Sequence, residues 1–443
     1  MDSPAVPAPL DPQEQPILDR LLRTRDALLL IKQDKSSYIK SRDVLPLYEE
    51  VVSEVEKLNA VRKGKDRRLP HNRLDYVLDD CFQLISLLFL TVGRNNEAPA
   101  VYSLATTVQR LLDHLEEAGF YSSKDLSSIT KTLAHVHETI DRCRNAYSPA
   151  LMTLLESRLE KCRLLLDKLQ SGLAQLSPEL VSTHETLVSI LRSTSAVNTR
   201  SKFSASEVNG LRDQLKKIQD SLKDGNFVGA DGEPLPGQEN VKGLLERCWM
   251  WTEIVLQREG KIDERFQDQY QRLVDIRNQL DRLSVTQAWS LRETDLFGYQ
   301  RKLDRIDEAR VNGNFVDAEG QLADIHAQRT LLYLIRRSYG YIYALLISSE
   351  PVSEALLPVH NQLQTLKRCL LEVKESGGVA NSRELYPYSM KLNSIDNMRV
   401  DGKFYVGSDI PEGQGSVNSL LAECYDIVWE LRAAVQDDDD RKA

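Results

Sequence analysis

Cysteine and histidine are the residues here whose types and spacing could do chemistry. Cys81 in "VLDDCFQL", Cys248 in "LLERCWMW" and Cys424 in "LLAECYDI" share one setting, each followed by an aromatic residue, and Ser338 of "LIRRSYGY" takes the same place. Thiolates so placed could ligate a metal or attack an electrophile. Equivalent positions in separate repeats of an extended array stand far apart, however, and apolar neighbours at helical spacing suit small buried thiols. Cys143, Cys162 and Cys369 sit beside basic residues, the setting that lowers a thiol pKa, but no partner residue marks any of them as redox-active. In "HVHETIDRC", His135 and His137 are two apart and leave a helix on different sides; His137 and Asp141 share a side but lack a third ligand. No Ser/His/Asp or lysine nucleophile signature appears. The expectation is therefore no catalytic residue, no metal site and no cofactor.

Two features could bind rather than react. The run "RKGKDRRLPHNR" at 62–73 gathers Arg62, Lys63, Lys65, Arg67, Arg68 and Arg73, which could meet phosphates, nucleic acid or an import receptor. It carries no interleaved aromatics on which bases could stack, and a net charge of −9 opposes bulk attraction to nucleic acid, so nucleic acid is disfavoured as a partner and protein preferred. The second feature is a pair of long loops, "VGADGEPLPGQENV" and "VGSDIPEGQGSV", in which Gln238 and Gln414 each lie ten residues before the matched cysteine. A third copy reads plainer, "VDAEGQLADI". Loops longer than a connection needs suggest a shared binding edge, acidic at Asp231, Glu233, Asp409 and Glu412 and basic in the 62–73 run. The candidate partner-binding residues are thus Arg62, Lys63, Lys65, Arg67, Arg68, Gln238, Gln414, Asp409 and Glu412.

What must position these residues is a repeat. Phe227, Phe315 and Phe404 align "SEVNGLRDQLKKIQDSLKDGNFV", "TDLFGYQRKLDRIDEARVNGNFV" and "RELYPYSMKLNSIDNMRVDGKFY" without a gap, at a period of 88–89 residues. The coincident apolar positions, such as Leu215, Leu303 and Leu392, are spaced 3, 4 and 3 apart, one stripe of an amphipathic helix. "DGNF", "NGNF" and "DGKF" then read as helix stops, with Gly225, Gly313 and Gly402 in the left-handed conformation and the phenylalanine folding back as an anchor. A phosphate loop would have the opposite polarity, with a strand leading in and a helix leading out. "LLESRLEKCRLLLDKLQ" and its counterparts supply a leading helix, 98–147 reads as a degraded partial copy with Cys143 at the matched site, and "LRSTSAVNTRSKF" from Leu191 to Phe203 reads as a linker.

The result is an all-α fold: an elongated array of about four units, three long helices each, with glycine-rich interhelix loops. Its boundaries are a disordered Pro-rich tail 1–16, an N-terminal helical region 17–147, units 148–260, 261–350 and 351–436, and an acidic tail 437–443. The apolar runs "LISLLFLTV" and "LLYLIRRSYGYIYALLI" are too short or too charged to span a bilayer, so no membrane is expected. "MRVDGKFYVGSDIPEGQGSVNSLLAEC" resembles the C-terminal motif of a fungal uncharacterised protein family, number 0662, and "SRDVLPLYEEV" matches in style. That resemblance implies a helical protein of cytoplasm and nucleus without an assigned activity. The function expected is that of a non-catalytic interaction or adaptor protein; a small-molecule binder or enzyme with its pocket among the Gly/Pro-rich loops, and a nucleic-acid-associated protein using the 62–73 run, are the alternatives.

Overall fold

The computed structural model describes residues 7–9, 11–63, 72–229, 232–286 and 288–442. They form an elongated all-α array whose fifteen α-helices fall into threes. The first unit is α1 (Gln15–Gln33), α2 (Ser41–Arg62) and α3 (Arg73–Thr91); the second is α4 (Val101–Ala118), α5 (Ser123–Cys143) and α6 (Pro149–Ala174). The third is α7 (Pro178–Asn198), α8 (Ala205–Asp220) and α9 (Gln238–Arg258), and the fourth α10 (Gln267–Thr286), α11 (Leu296–Glu308) and α12 (Ile325–Ile347). The fifth is α13 (Leu357–Glu375), α14 (Tyr386–Asp396) and α15 (Gln414–Lys442). Side-chain caps fix the starts. Asn72 and Asp75 form a reciprocal capping box on α3, as Ser122 and Asp125 do on α5, and Asp324 accepts from the Ala327 amide to open α12.

In every unit the first and third helices pack side by side and the second lies across them. The matched cysteines sit at the centre of that seam. Each thiol donates to a carbonyl of the first helix, Cys81 to Leu21, Cys248 to Leu187 and Cys424 to Leu363, all at 3.6 Å. Ser338 turns back to Leu334 in its own helix. Cys162 donates to the Ala105 carbonyl at 3.7 Å, which makes α4–α6 a unit in its own right and brings the total to five, with Cys162, not Cys143, as its matched thiol. Helix α6, expected to open the next unit, closes this one. The linker expected at 191–203 is instead the last two turns of α7 and a short exit: Leu191, Thr194, Val197 and Asn198 are buried. Its serines and threonines hydrogen-bond carbonyls one turn back, so polar composition hid a core helix. The Pro-rich tail also ends sooner than expected, because Glu14 is buried and paired with Arg62.

The units do not stack in chain order. The first, second and fourth share one hydrophobic core, while the third and the fifth each keep their own. Helix α12 lies along α4, and between α3, α4, α6, α11 and α12 runs a buried ionic seam. Arg158 Nη2 reaches Asp79 at 2.7 Å and the Tyr102 hydroxyl at 2.6 Å, with its guanidinium over the Tyr102 ring. Arg301 meets Asp80 at 2.8 Å; Arg110 faces Asp304 and Asp307 at 3.6 and 3.3 Å; Tyr339 donates to Asp304 at 2.6 Å; Arg310 and His114 hold Asp307 at 2.7 and 3.1 Å. Buried charges persist only where opposite charge and hydrogen bonds meet them, and here each carboxylate has at least one guanidinium.

Candidate functional site

The sequence placed partner-binding residues on loops between the second and third helices of units, and in the third, fourth and fifth units those loops share one construction. The predicted stripes are buried as expected: Leu215, Leu303 and Leu392 are fully enclosed, and Phe227, Phe315 and Phe404 are buried against them. The Gly-Phe element is not a helix stop. Asp224 and Gly225 (φ 48° and 75°), Asn312 and Gly313 (49° and 79°), and Asp401 and Gly402 (51° and 75°) are the central pairs of two-residue hairpins. Positive φ at both positions is the type I′ turn that Asp-Gly and Asn-Gly favour, and Lys223 pairs with Asn226, Val311 with Asn314 and Val400 with Lys403 across it. The helices end a few residues earlier without glycine. In the fifth unit the pairing extends one step to Arg399 and Phe404.

A glutamine locks each hairpin. Gln414 Oε1 accepts from the Phe404 amide at 2.9 Å while its Nε2 donates to the Phe404 carbonyl at 2.8 Å; Gln328 does both to Phe315 at 2.9 Å; Gln238 Oε1 accepts from the Phe227 amide at 3.0 Å. The side-chain amide thereby satisfies the phenylalanine N–H in all three copies, beside a buried ring. Gln328 is the residue sequence reasoning missed. It too lies ten residues before the matched position, Ser338, but the plainer loop drew attention away from it. Gly413, next to the clasp, approaches the lead-in to its own unit so closely that a Cβ would fall 2.7 Å from Val352 Cα, and Gly237 does the same against Gln175 and Leu176.

The remaining candidates divide. Asp409 accepts from the Tyr38 hydroxyl at 2.5 Å, which holds its carboxyl below the ordinary range. Burial first and that bond second push the Tyr38 phenol up to about 12. Glu412 takes Ser41 at 3.3 Å and Arg94 at 3.4 Å. The fifth unit's loop thus rests on the first unit, beside Glu354, which holds Arg292 at 2.5 Å and accepts from the Ile39 amide. Arg62 faces inward and bridges Glu14 at 2.7 Å and Asp75 at 2.6 Å. Lys63 is exposed at the end of α2, and Lys65, Arg67 and Arg68 lie outside the described residues, as does Asp231. The structure therefore brings the Asp409/Glu412 loop to the first unit and pairs the half-buried Arg62 with Glu14 and Asp75. Burial pushes the Cys424 thiol up to about 11 and those of Cys248 and Cys162 up to about 12, so all three are protonated near neutrality. Among the described residues no group of three or more His, Cys, Asp or Glu side chains could hold a metal ion, and no helix is long and apolar enough to cross a membrane.

The outer edge distinguishes the fifth unit's hairpin from the third's. Tyr405, Val406 and Ile410 of the fifth unit are exposed, as are Met398 and Val400, which stand where the third unit has Ser221 and Lys223. A family model described as a protein of unknown function, DUF2408, matches residues 173–293 and 349–442, stretches that include the two units with cores of their own. A CUB1 family protein of Schizosaccharomyces pombe is 40% identical over 439 residues, covering 97% of this chain and 94% of the relative. The "Cu(2+) suppressing and bleomycin sensitive protein 1" of Saccharomyces cerevisiae is 37% identical over 504 residues, covering 96% of this chain and 91% of its own length. The fungal likeness expected from the C-terminal motif is thereby shown. No solved structure matches the chain.

Proposed function

The chain belongs to the CUB1 family, and from that premise we propose that it is a non-catalytic interaction or adaptor protein of the cytoplasm and nucleus, docking protein partners through the hairpin edge of its fifth unit. One observation carries this reading. Met398 and Val400 are 55% and 60% exposed on a hairpin whose backbone is held rigid by the Gln414 clasp. Apolar side chains on a preorganised edge lose little freedom on binding and gain by being covered. The name of the Saccharomyces relative records copper suppression and bleomycin sensitivity, which are phenotypes and not a reaction, and an adaptor suits such a record.

The test exchanges the edge for that of the third unit. In Met398→Ser/Val400→Lys, helicity and melting temperature should match the parent, while quantitative affinity purification from the source cell should lose at least one otherwise stable partner. If every co-purifying protein persists at its original level, the fifth-unit edge is not a docking surface and the reading falls. A fluorescent fusion confined to one compartment would refute the cytoplasmic and nuclear placement.

A further inference from the structure

A cleft of about 220 Å³ opens where three units meet, between the α4–α5 corner, α7, α9 and α12. Three guanidinium groups reach it: Arg247 from α9, and Arg329 and Arg336 from α12. Their surroundings lack the counter-charge found in the ionic seam. Arg247 is steadied by the backbone carbonyls of Gly119 and Gly243, both at 3.2 Å. Arg329 lies over the Trp251 ring at 5.7 Å and Arg336 over Phe120 at 4.4 Å, and no ion pair or hydrogen bond holds either among the described residues. Arg336 Nη1 is buried with no partner. The two nearby carboxylates are engaged elsewhere, Glu117 by Arg310 and Asp125 by Arg192. Burial, reinforced by Arg192, lowers Arg336 to about 10, and burial and repulsion from Arg247 lower Arg329.

A guanidinium nitrogen kept from water without an anion, as Arg336 Nη1 is, is costly, and the half-buried Arg247 and Arg329 beside it add repulsion. Guanidinium forks arriving from two helices match the tetrahedral oxygens of a phosphate, whose double charge a carboxylate does not supply. Phe120, Leu191, Trp251, Leu332 and Tyr333 form an apolar wall, and Glu117, Ala118 and Ser195 complete the lining. We propose that this cleft binds a small organic phosphate, its phosphoryl group held by Arg247, Arg329 and Arg336 and its organic group against the aromatic wall. The inference is independent of the adaptor reading. Because the cleft is shared by the second, third and fourth units, occupation would join the third unit, which has its own core, to the common body.

The full-length protein is titrated with inorganic phosphate, phenyl phosphate and benzoate, by calorimetry and by thermal melting. Phenyl phosphate should bind and raise the melting temperature with concentration, inorganic phosphate less so, and benzoate least. Arg329→Gln and Arg336→Met should each weaken phenyl phosphate binding about tenfold or more, since each removes charge-assisted hydrogen bonds. Arg336→Met should also raise the melting temperature of the unliganded protein, which a residue with a purely structural role would not do. Absence of heat and of any melting shift with both phosphates at millimolar concentration overturns the proposal. So does binding that survives unchanged in both variants, or benzoate binding as tightly as phenyl phosphate.

Discussion

Two arginine-rich junctions lie along the same pair of helices, and they are built in opposite ways. Toward the middle of α4, Arg110 and His114 face α11 and α12 across Asp304 and Asp307, and each charge there meets its opposite within hydrogen-bonding or ion-pair distance. Just beyond the end of α4, the corner at Phe120 faces Arg329 and Arg336 on α12 with no free carboxylate in reach. The first junction is the more deeply buried and its charges are paired, whereas the second, partly open, leaves Arg336 Nη1 without a partner. A balanced junction joins units permanently; an unbalanced one leaves free energy to be gained by whatever brings the missing charge.

The largest effect should come from spoiling the balanced junction. Asp307→Ala would strip His114 of its carboxylate and Arg110 and Arg310 of one partner each, and a cost of about 3 kcal/mol is expected, read as a lower denaturation midpoint. A next, smaller effect should appear on acidification. Burial raises the Asp307 carboxyl, but the bond from His114 and the charges of His114, Arg110 and Arg310 outweigh it and bring the group down to about 2, from an ordinary 3.8. A depressed carboxylate leaves the unfolded chain binding more protons, so the stabilisation is present above pH 3.8 and is lost as pH falls toward 2. Chemical denaturation across that interval should show a stability loss of up to about 2 kcal/mol that Asp307→Asn lacks. Smaller again, and of opposite sign, is Arg336→Met, which should gain about 1 kcal/mol by replacing an unpaired buried charge with an apolar chain. A loss there would erase the contrast. Smallest should be Glu117→Gln at the cleft rim, within about 0.5 kcal/mol, because Glu117 is partly exposed and the buried Arg310 keeps Asp307.

The sequence carried the repeat well and the junctions not at all. Phe227, Phe315 and Phe404 and their leucine stripes were legible because burial demands apolar residues at helical spacing. Gln328 was legible in principle, ten residues before Ser338, but the distance from phenylalanine to clasp varies with loop length while the distance to the matched position does not. The Asp-Gly and Asn-Gly pairs signalled hairpins, and the helix preceding them drew the reading to a stop instead. The α4–α6 unit escaped because it has no clasped hairpin and because its thiol contact spans 57 residues where the others span 60 or 61. The cleft was invisible because Arg247, Arg329 and Arg336 meet their surroundings through tertiary packing, and no spacing along the chain encodes which arginines lack a carboxylate.

The sharing of one core by the first, second and fourth units also sets a schedule for synthesis. Helix α4 is complete at Ala118, but its partner α12 begins at Ile325, about 200 residues later. At about 5–20 residues per second, the nascent chain carries that apolar face uncovered for about 10–40 s. During the interval the third unit, with a core of its own, can fold as an independent block. The common core closes only when α12 arrives, and a molecular chaperone that shields the α4 face until then is expected to raise the yield of native protein.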